Sequence, residues 1–251
     1  MSNDRTLIIA HRGASGEAPE NTLAAFSLAL AQGCDAIELD IHLSADGDIV
    51  VCHDDTLQRT TDRNGKIHEW TTDELKWADA GKKFHEKYEG EQIPLLEEVF
   101  DLVPPEIMIN VEIKGSNGRR TEAKLVELVR RRNRIDSVIV SSFDHKGLAL
   151  LKQLEPSIRI GLLYTGNFMS HTKIAENAGI PVYSLHPYYK HLDAVDIREA
   201  IRSGLHVYPY TINNEQEMKK AINLGVSGII TDYPARLRRL LESDMSTILE
   251  Q

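Results

Sequence analysis

Residues 36–43 read AIELDIHL, and the way this octapeptide can be buried decides the fold. Side chains alternate across an extended strand, so Ile37, Leu39 and Ile41 point one way while Glu38 and Asp40 point the other. His42 is assigned to the face away from the two carboxylates. If the apolar row packs under helices, the carboxylates turn toward the axis of a closed barrel. Further short apolar or β-branched runs lie at 7–10, 107–113, 137–141, 158–163, 182–185, 206–210 and 228–231. Amphipathic stretches at 22–31, 95–102, 121–132, 146–154, 193–202, 215–224 and 235–242 separate most of them. Asn21-Thr22 and Asn213-Asn214 supply helix caps, and Gly33, Gly204 and Gly225 stand where helices should stop. Eight strands alternating with helices over 251 residues predict an α/β fold, a TIM (β/α)8 barrel, for which about 250 residues is typical. The rival is an open doubly wound sheet, which announces a Gly-rich phosphate loop after its first strand. HRGASG at 11–16 lacks the GxGxxG spacing.

One interval breaks the alternation. Between His53 and Ile107 lie a turn-rich segment (60–66), a short helical piece (72–80) and a charged loop up to Gln92, all preceded by one further short strand (48–52). This predicts a small insertion after the second barrel strand, approximately 54–93, at one barrel mouth. Roughly forty polar residues cannot bury a core of their own, so residues 1–251 are expected to form a single domain.

Charge restricts the partners. The 29 Lys and Arg against 38 Asp and Glu leave a net charge of −9. That balance argues against nucleic acid, whose binding needs a cationic surface, and against docking on an anionic membrane. The basic run 119–134 falls on an amphipathic helix and reads as a solvated face. No segment approaches the ~20 apolar residues of a membrane span, and the polar start lacks a signal-peptide core. Cys34 and Cys52 sit in apolar surroundings and read as small core residues. Together these features predict a cytoplasmic chain, compatible with a homodimer.

The chemistry gathers at strand ends, where barrel enzymes place their reactive groups. The first strand ends in His11-Arg12-Gly13, with glycine expected to let the backbone approach a ligand. The short strand at 48–52 runs into His53-Asp54. Glu112 and Lys114 repeat on residues 107–113 and beyond the same-face spacing of Glu38 and Asp40. Three converging carboxylates repel one another unless a cation neutralises them, and oxygen-only ligation selects a hard ion, Mg²⁺ or Ca²⁺. Arg12 and Lys114 suit the non-bridging oxygens of a phosphate ester, and two histidines can serve as base and acid near neutral pH. His186 is expected to line the mouth. His68, His85, His145, His171 and His191 receive structural roles, and His206 opens its strand at the far end.

Strings in this order resemble the glycerophosphodiester phosphodiesterase family: HRGASGEAPENTLAAF at 11–26, AIELDIHLSADGDIVVCHDDTLQRTTDRNG at 36–65, IPLLEE, NVEIKG and GVSGIITDYP. The resemblance spans nearly the whole chain and implies a TIM barrel with a small insertion after its second strand. It also implies hydrolysis of glycerophosphodiesters to sn-glycerol 3-phosphate and an alcohol, by attack of the glycerol 2-hydroxyl and opening of a cyclic phosphate. Carried over position by position, His11 and His53 are the acid/base pair. Glu38, Asp40 and Glu112 hold one divalent cation, and Arg12 and Lys114 hold the phosphate. Tyr210 stands where the family often has Trp before Thr, and offers a flat face to the glycerol. Asn21, in the ENT motif, is expected to cap the first helix. An alternative is a phospholipase-like phosphodiesterase acting on lysophospholipids. The charged insertion, despite Trp77, Phe84 and Tyr88, favours a small water-soluble substrate. A non-enzymatic binding barrel would have to lack at least one of the seven residues at the strand ends, and all seven are present.

Overall fold

Alternation of inward polar and outward apolar residues builds a nearly closed barrel. The computed structural model describes residues 5–249, with side chains through residue 243. The barrel strands are β1 (Leu7–His11), β2 (Ala36–Leu43), β4 (Met108–Ile113), β5 (Val138–Ser142), β6 (Arg159–Tyr164), β7 (Ser184–Pro187), β8 (His206–Val207) and β9 (Gly228–Thr231). They run parallel around the ring in the order β9, β1, β2, β4, β5, β6, β7, β8. The short β3 (Ile49–Val51) folds back antiparallel onto the end of β2.

The outer layer comprises α1 (Leu23–Ala31), α3 (Leu96–Leu102), α4 (Arg120–Arg131), α5 (His145–Leu154), α6 (Thr172–Glu176), α7 (Ala194–Arg202), α8 (Glu215–Asn223) and α9 (Pro234–Leu249), with α2 (Thr72–Leu75) in the insertion. Ile37, Leu39, Ile41, Val111, Val140 and Leu162 face these helices in one continuous core. On the inside, Ile9, Ala36, Ile139, Tyr208 and Ile230 plug the barrel. The register then stacks the polar residues in levels: His11 beside Glu38 and Asn110, and Asp40 beside Glu112 and Ser141. Among the described residues no helix is long and apolar enough to cross a membrane.

Three elements depart from expectation. The strand expected to reach Tyr210 stops at Val207, because Pro209 has no N–H to give a ladder, and Tyr210 keeps only an isolated bridge to Tyr188. The seam between β8 and β9 is therefore made of separate hydrogen bonds: Ser227 N to Val207 O (3.1 Å), Ile230 N to Pro209 O (3.1 Å) and Ile212 N to Ile230 O (2.9 Å). The five-residue α6 was not anticipated, since one turn is too short to show a helical period. In the insertion, Leu57, Ile67, Leu75, Ala78, Ala80 and Ile93 pack on Val50 and Cys52 as a small satellite cluster. This cluster sets the segment after His53 against the barrel mouth.

His186 is a correction. Expected at the mouth, it has no exposed surface and lies inside the barrel, with Nε2 2.8 Å from Ser184 Oγ and its ring edge-on to Tyr208. Gly161 on the neighbouring β6 makes the room: a Cβ there would come within 2.3 Å of His186 Nε2. Burial pushes the imidazole down to about 3 from 6.5, so the fold keeps it neutral. A depressed histidine contributes stability that is complete above the unfolded value and lost as pH falls toward the folded one. Between pH 6.5 and 3 the wild type should therefore lose up to about 1.4 kcal/mol per pH unit on this account. His186→Gln should show a shallower slope in urea unfolding across that range. An unchanged slope would mean that another group carries the acid sensitivity.

Candidate active site

The turn after β1 is the tightest part of the site. Arg12 adopts φ 55° and Gly13 φ 83°, a left-handed pair that costs little only where glycine takes the second place. Gly13 was expected to make space for a ligand. Instead, a Cβ on Gly13 would lie 2.6 Å from the backbone of Ala25, so the glycine lets α1 pack against the turn. The turn directs the Arg12 N–H to Glu38 Oε2 (3.0 Å) and brings Arg12 Nε to 3.2 Å from Asp40 Oδ2, while Nη1 donates to Glu20 (2.8 Å).

His11 Nδ1 lies 2.6 Å from Asp232 Oδ1, just beyond β9. A carboxylate accepts, so Nδ1 carries the proton and Nε2 is turned to Glu38 Oε2, 4.0 Å away. Ser15 Oγ and Asn213 Nδ2 also donate to Asp232, at 2.9 and 2.5 Å. Burial alone would raise the Asp232 carboxyl, but the hydrogen bonds from His11, Asn213 and Ser15 outweigh it and hold it below the usual range. Asp232 and Asn213 were missed as site residues. The available signal was a carboxylate directly after a strand end, Thr231-Asp232.

Glu38, Asp40 and Glu112 each offer an oxygen within 4.8 Å of the others. Burial, with Asp40 and Glu112 beside it, pushes the Glu38 carboxyl well above the usual range. Burial and Asp40 raise Glu112 to about 7 against the pull of Lys114. Asp40 goes the other way: burial acts upward, but Arg12 and Lys114 together hold it low. Asn21 was expected to cap α1. Thr22 does that, its Oγ1 accepting from Ala25 N (3.2 Å), while the Asn21 side chain donates to Asp40 Oδ2 (2.9 Å) and accepts from Asp40 N (3.4 Å).

The second histidine repeats the arrangement of the first. His53 Nδ1 lies 2.6 Å from Asp54 Oδ1, and its Nε2 accepts from Lys114 Nζ at 3.1 Å. Lys114 Nζ also donates to Glu112 Oε1 (2.7 Å). Burial, reinforced by Arg12 and Lys114, lowers His53 against the upward pull of Asp40 and Asp54. Asp54 is held low by hydrogen bonds from Arg59 and His53, and Arg59 ties Asp54 to Glu20 (2.7 Å to each). His42 is a second correction. Residues 38, 40 and 42 share one parity, so its side chain lies on the carboxylate side, buried, with Nε2 3.1 Å from His53 O.

Tyr210 stands across the mouth, its OH donating to Tyr164 O (3.2 Å), and burial together with nearby Glu112 raises its phenol. Phe143 and Tyr188 flank it at ring distances of 6.3 and 6.4 Å. Phe143, Phe168 and Met169 are exposed on the loops that follow β5 and β6. The site thus joins two carboxylate-oriented imidazoles, an acidic cluster able to hold a cation, and two fixed cations. This combination suits proton transfer at an anionic ester.

Comparison with known proteins agrees. The model of the glycerophosphoryl diester phosphodiesterase family matches residues 11–236. The glycerophosphodiester phosphodiesterase of Caldanaerobacter subterraneus subsp. tengcongensis is 40% identical over 240 residues, covering 94% of this chain and 98% of the relative. Lysophospholipase D GDPD1 of Homo sapiens is 34% identical over 272 residues, covering 94% and 86%. An Oleispira antarctica phosphodiesterase, solved in complex with the product sn-glycerol-3-phosphate, superposes with a TM-score of 0.88 at 33% identity, covering 95% of this chain and 97% of that one.

Gly13→Ala should destabilise the protein by roughly 2–4 kcal/mol, through a strained φ and the clash with α1. The unfolding midpoint in urea measures this, and a cost below about 1 kcal/mol would show that the turn yields.

Proposed function

Since the chain belongs to the glycerophosphoryl diester phosphodiesterase family, we propose that it hydrolyses glycerophosphodiesters to sn-glycerol 3-phosphate and an alcohol, using His11 and His53 as the acid/base pair beside a divalent cation. The observation that carries this reading is the matched pair of imidazoles. Each is bound through Nδ1 to an aspartate, His11 to Asp232 and His53 to Asp54, and each has its Nε2 directed toward the carboxylate–lysine cluster. One Nε2 takes the proton from the attacking oxygen, and the other, once its ring carries a second proton as an imidazolium held by its aspartate, gives that proton to the departing alcohol, the division of labour that histidine performs near neutral pH.

Glu38, Asp40 and Glu112 fit a hard cation, Mg²⁺ or Ca²⁺. Their donors are all oxygen, they lie within 4.8 Å of one another, and the buried Asp40 Oδ1 has no hydrogen-bond partner among the described residues, with Lys114 Nζ 3.7 Å away. When bound, such an ion would offset the three carboxylates and stabilise charge on the phosphoryl oxygens. Arg12 and Lys114 are the groups that hold the phosphate, and Tyr210 presents its ring to the glycerol. Cys34 and Cys52 are free thiols, both pushed up to about 12 by burial, in keeping with a cytoplasmic setting.

Release of sn-glycerol 3-phosphate from glycerophosphocholine should fall by about 10²–10⁴ in His11→Ala, with the unfolding midpoint near that of the wild type. A fall below tenfold would remove His11 from the reaction. EDTA should abolish turnover, and Mg²⁺ or Ca²⁺ should restore it. Turnover that survives exhaustive chelation would contradict the cation.

The exposed Phe143, Phe168 and Met169 at the mouth favour a second reading, in which the glycerol arm carries an acyl chain. Side-by-side turnover of glycerophosphocholine and a long-chain lysophosphatidylcholine separates the two, and faster turnover of the lysolipid would select the second.

A further inference from the structure

Resting on that reading of the site, we propose that the cavity between the insertion and the loop after β4 is the subsite for the departing alcohol, and that it selects alcohols bearing a primary ammonium group. The cavity measures about 440 Å³ and is walled by His42, His53, Asp55, His68, Lys114 and Asn117 among others. This size lies within the ordinary range of small-ligand sites, about 300–1,000 Å³.

His53 and Lys114 belong to both the catalytic cluster and this cavity. A diester whose phosphate sits at Lys114 therefore has one ester arm facing into it. The other arm faces Tyr210, which follows β8, on the far side of the ring from β4. The walls of the cavity carry opposite charges. Lys114 supplies a cation, and Asp55 a carboxylate. Asp54 is committed to His53 and Arg59, whereas the exposed Asp55 carboxylate, though it acts on His42 through its charge, belongs to none of the ion pairs that hold Asp54. Its backbone carbonyl accepts from Ile67 N–H. His42 lies within reach of both charges: burial lowers its imidazole, and Asp55 and Lys114 act on it in opposite senses.

A zwitterionic head group matches this arrangement, with its phosphate at Lys114 and its ammonium, a short tether away, at Asp55. The aromatic walls that would hold a quaternary ammonium by its face are lacking, since the rings named around the cavity are imidazoles. A primary ammonium, which can donate hydrogen bonds to a carboxylate, is the better fit.

The test compares kcat/KM for glycerophosphoethanolamine and glycerophosphoglycerol in the wild type, Asp55→Asn and Asp55→Glu. The wild type should prefer the ethanolamine diester. In Asp55→Asn the preference ratio should fall about threefold to fivefold, the effect expected when an exposed ion pair is removed, and the change should lie in KM. Asp55→Glu should keep most of the preference, and about 0.5 M salt should erase it by screening. A ratio that is the same in the wild type and Asp55→Asn overturns the subsite while leaving the phosphodiesterase reading intact. If the wild type releases sn-glycerol 3-phosphate from neither diester, the phosphodiesterase reading fails and the subsite falls with it.

Discussion

Three carboxylates buried within one barrel are the constraint to which the rest of the structure answers. Burial in an interior of low dielectric, and after it like charges a few ångströms apart, raise a carboxylate's affinity for protons, and Glu38 and Glu112 are raised in that way. The chain meets the repulsion from every side. Arg12 and Lys114 approach Asp40 from two different strand ends. Asn21 braces it from the first loop, and the Arg12 N–H braces Glu38. The left-handed turn at Arg12 and Gly13 exists where it does because that N–H must point inward. Replacing the cluster with hydrophobic residues would suit the barrel core better, so the cluster does not owe its place to stability.

The parts of this architecture that rest on local pattern were legible in the sequence. The alternation in residues 36–43 and 107–113, read with a period of two, puts Glu38, Asp40 and Glu112 together inside, and the register of β2 with β4 sets Asp40 beside Glu112. The same period, applied consistently, would have placed His42 with them. What escaped the reading depends on contacts made across the fold. Asp232 orients His11 from 221 residues away, and nothing near either residue announces the pairing. Asn21 and Asn213 both precede a residue that caps a helix, Thr22 and Asn214. In each pair the first side chain instead fixes a site carboxylate, a distinction that composition cannot draw. His186 is buried because a glycine on another strand leaves room for it. The end of β8 is set by a missing N–H at Pro209.

The net charge of −9 takes on meaning beside these contacts. The acidic surface surrounds a site whose fixed cations, Arg12 and Lys114, lie at the barrel mouth. A long polyanion would meet net repulsion from the molecule as a whole, whereas at the mouth Arg12 and Lys114 stand against Asp40 and Glu112 and offset part of the charge of the carboxylate cluster.

The bond between His11 and Asp232 also orders events during synthesis. In synthesis Asp232 follows His11 by 221 positions, after every barrel strand has been made. Chains are built from the N-terminus at about 5–20 residues per second, so this imidazole waits roughly ten to forty seconds for the carboxylate that orients it. Until β9 docks beside β1, the nascent chain holds most of the groups of the site without their final arrangement. The pairing of His11 with Asp232 therefore arrives with closure of the ring, and a chain that stops short of Asp232 leaves this imidazole without its carboxylate.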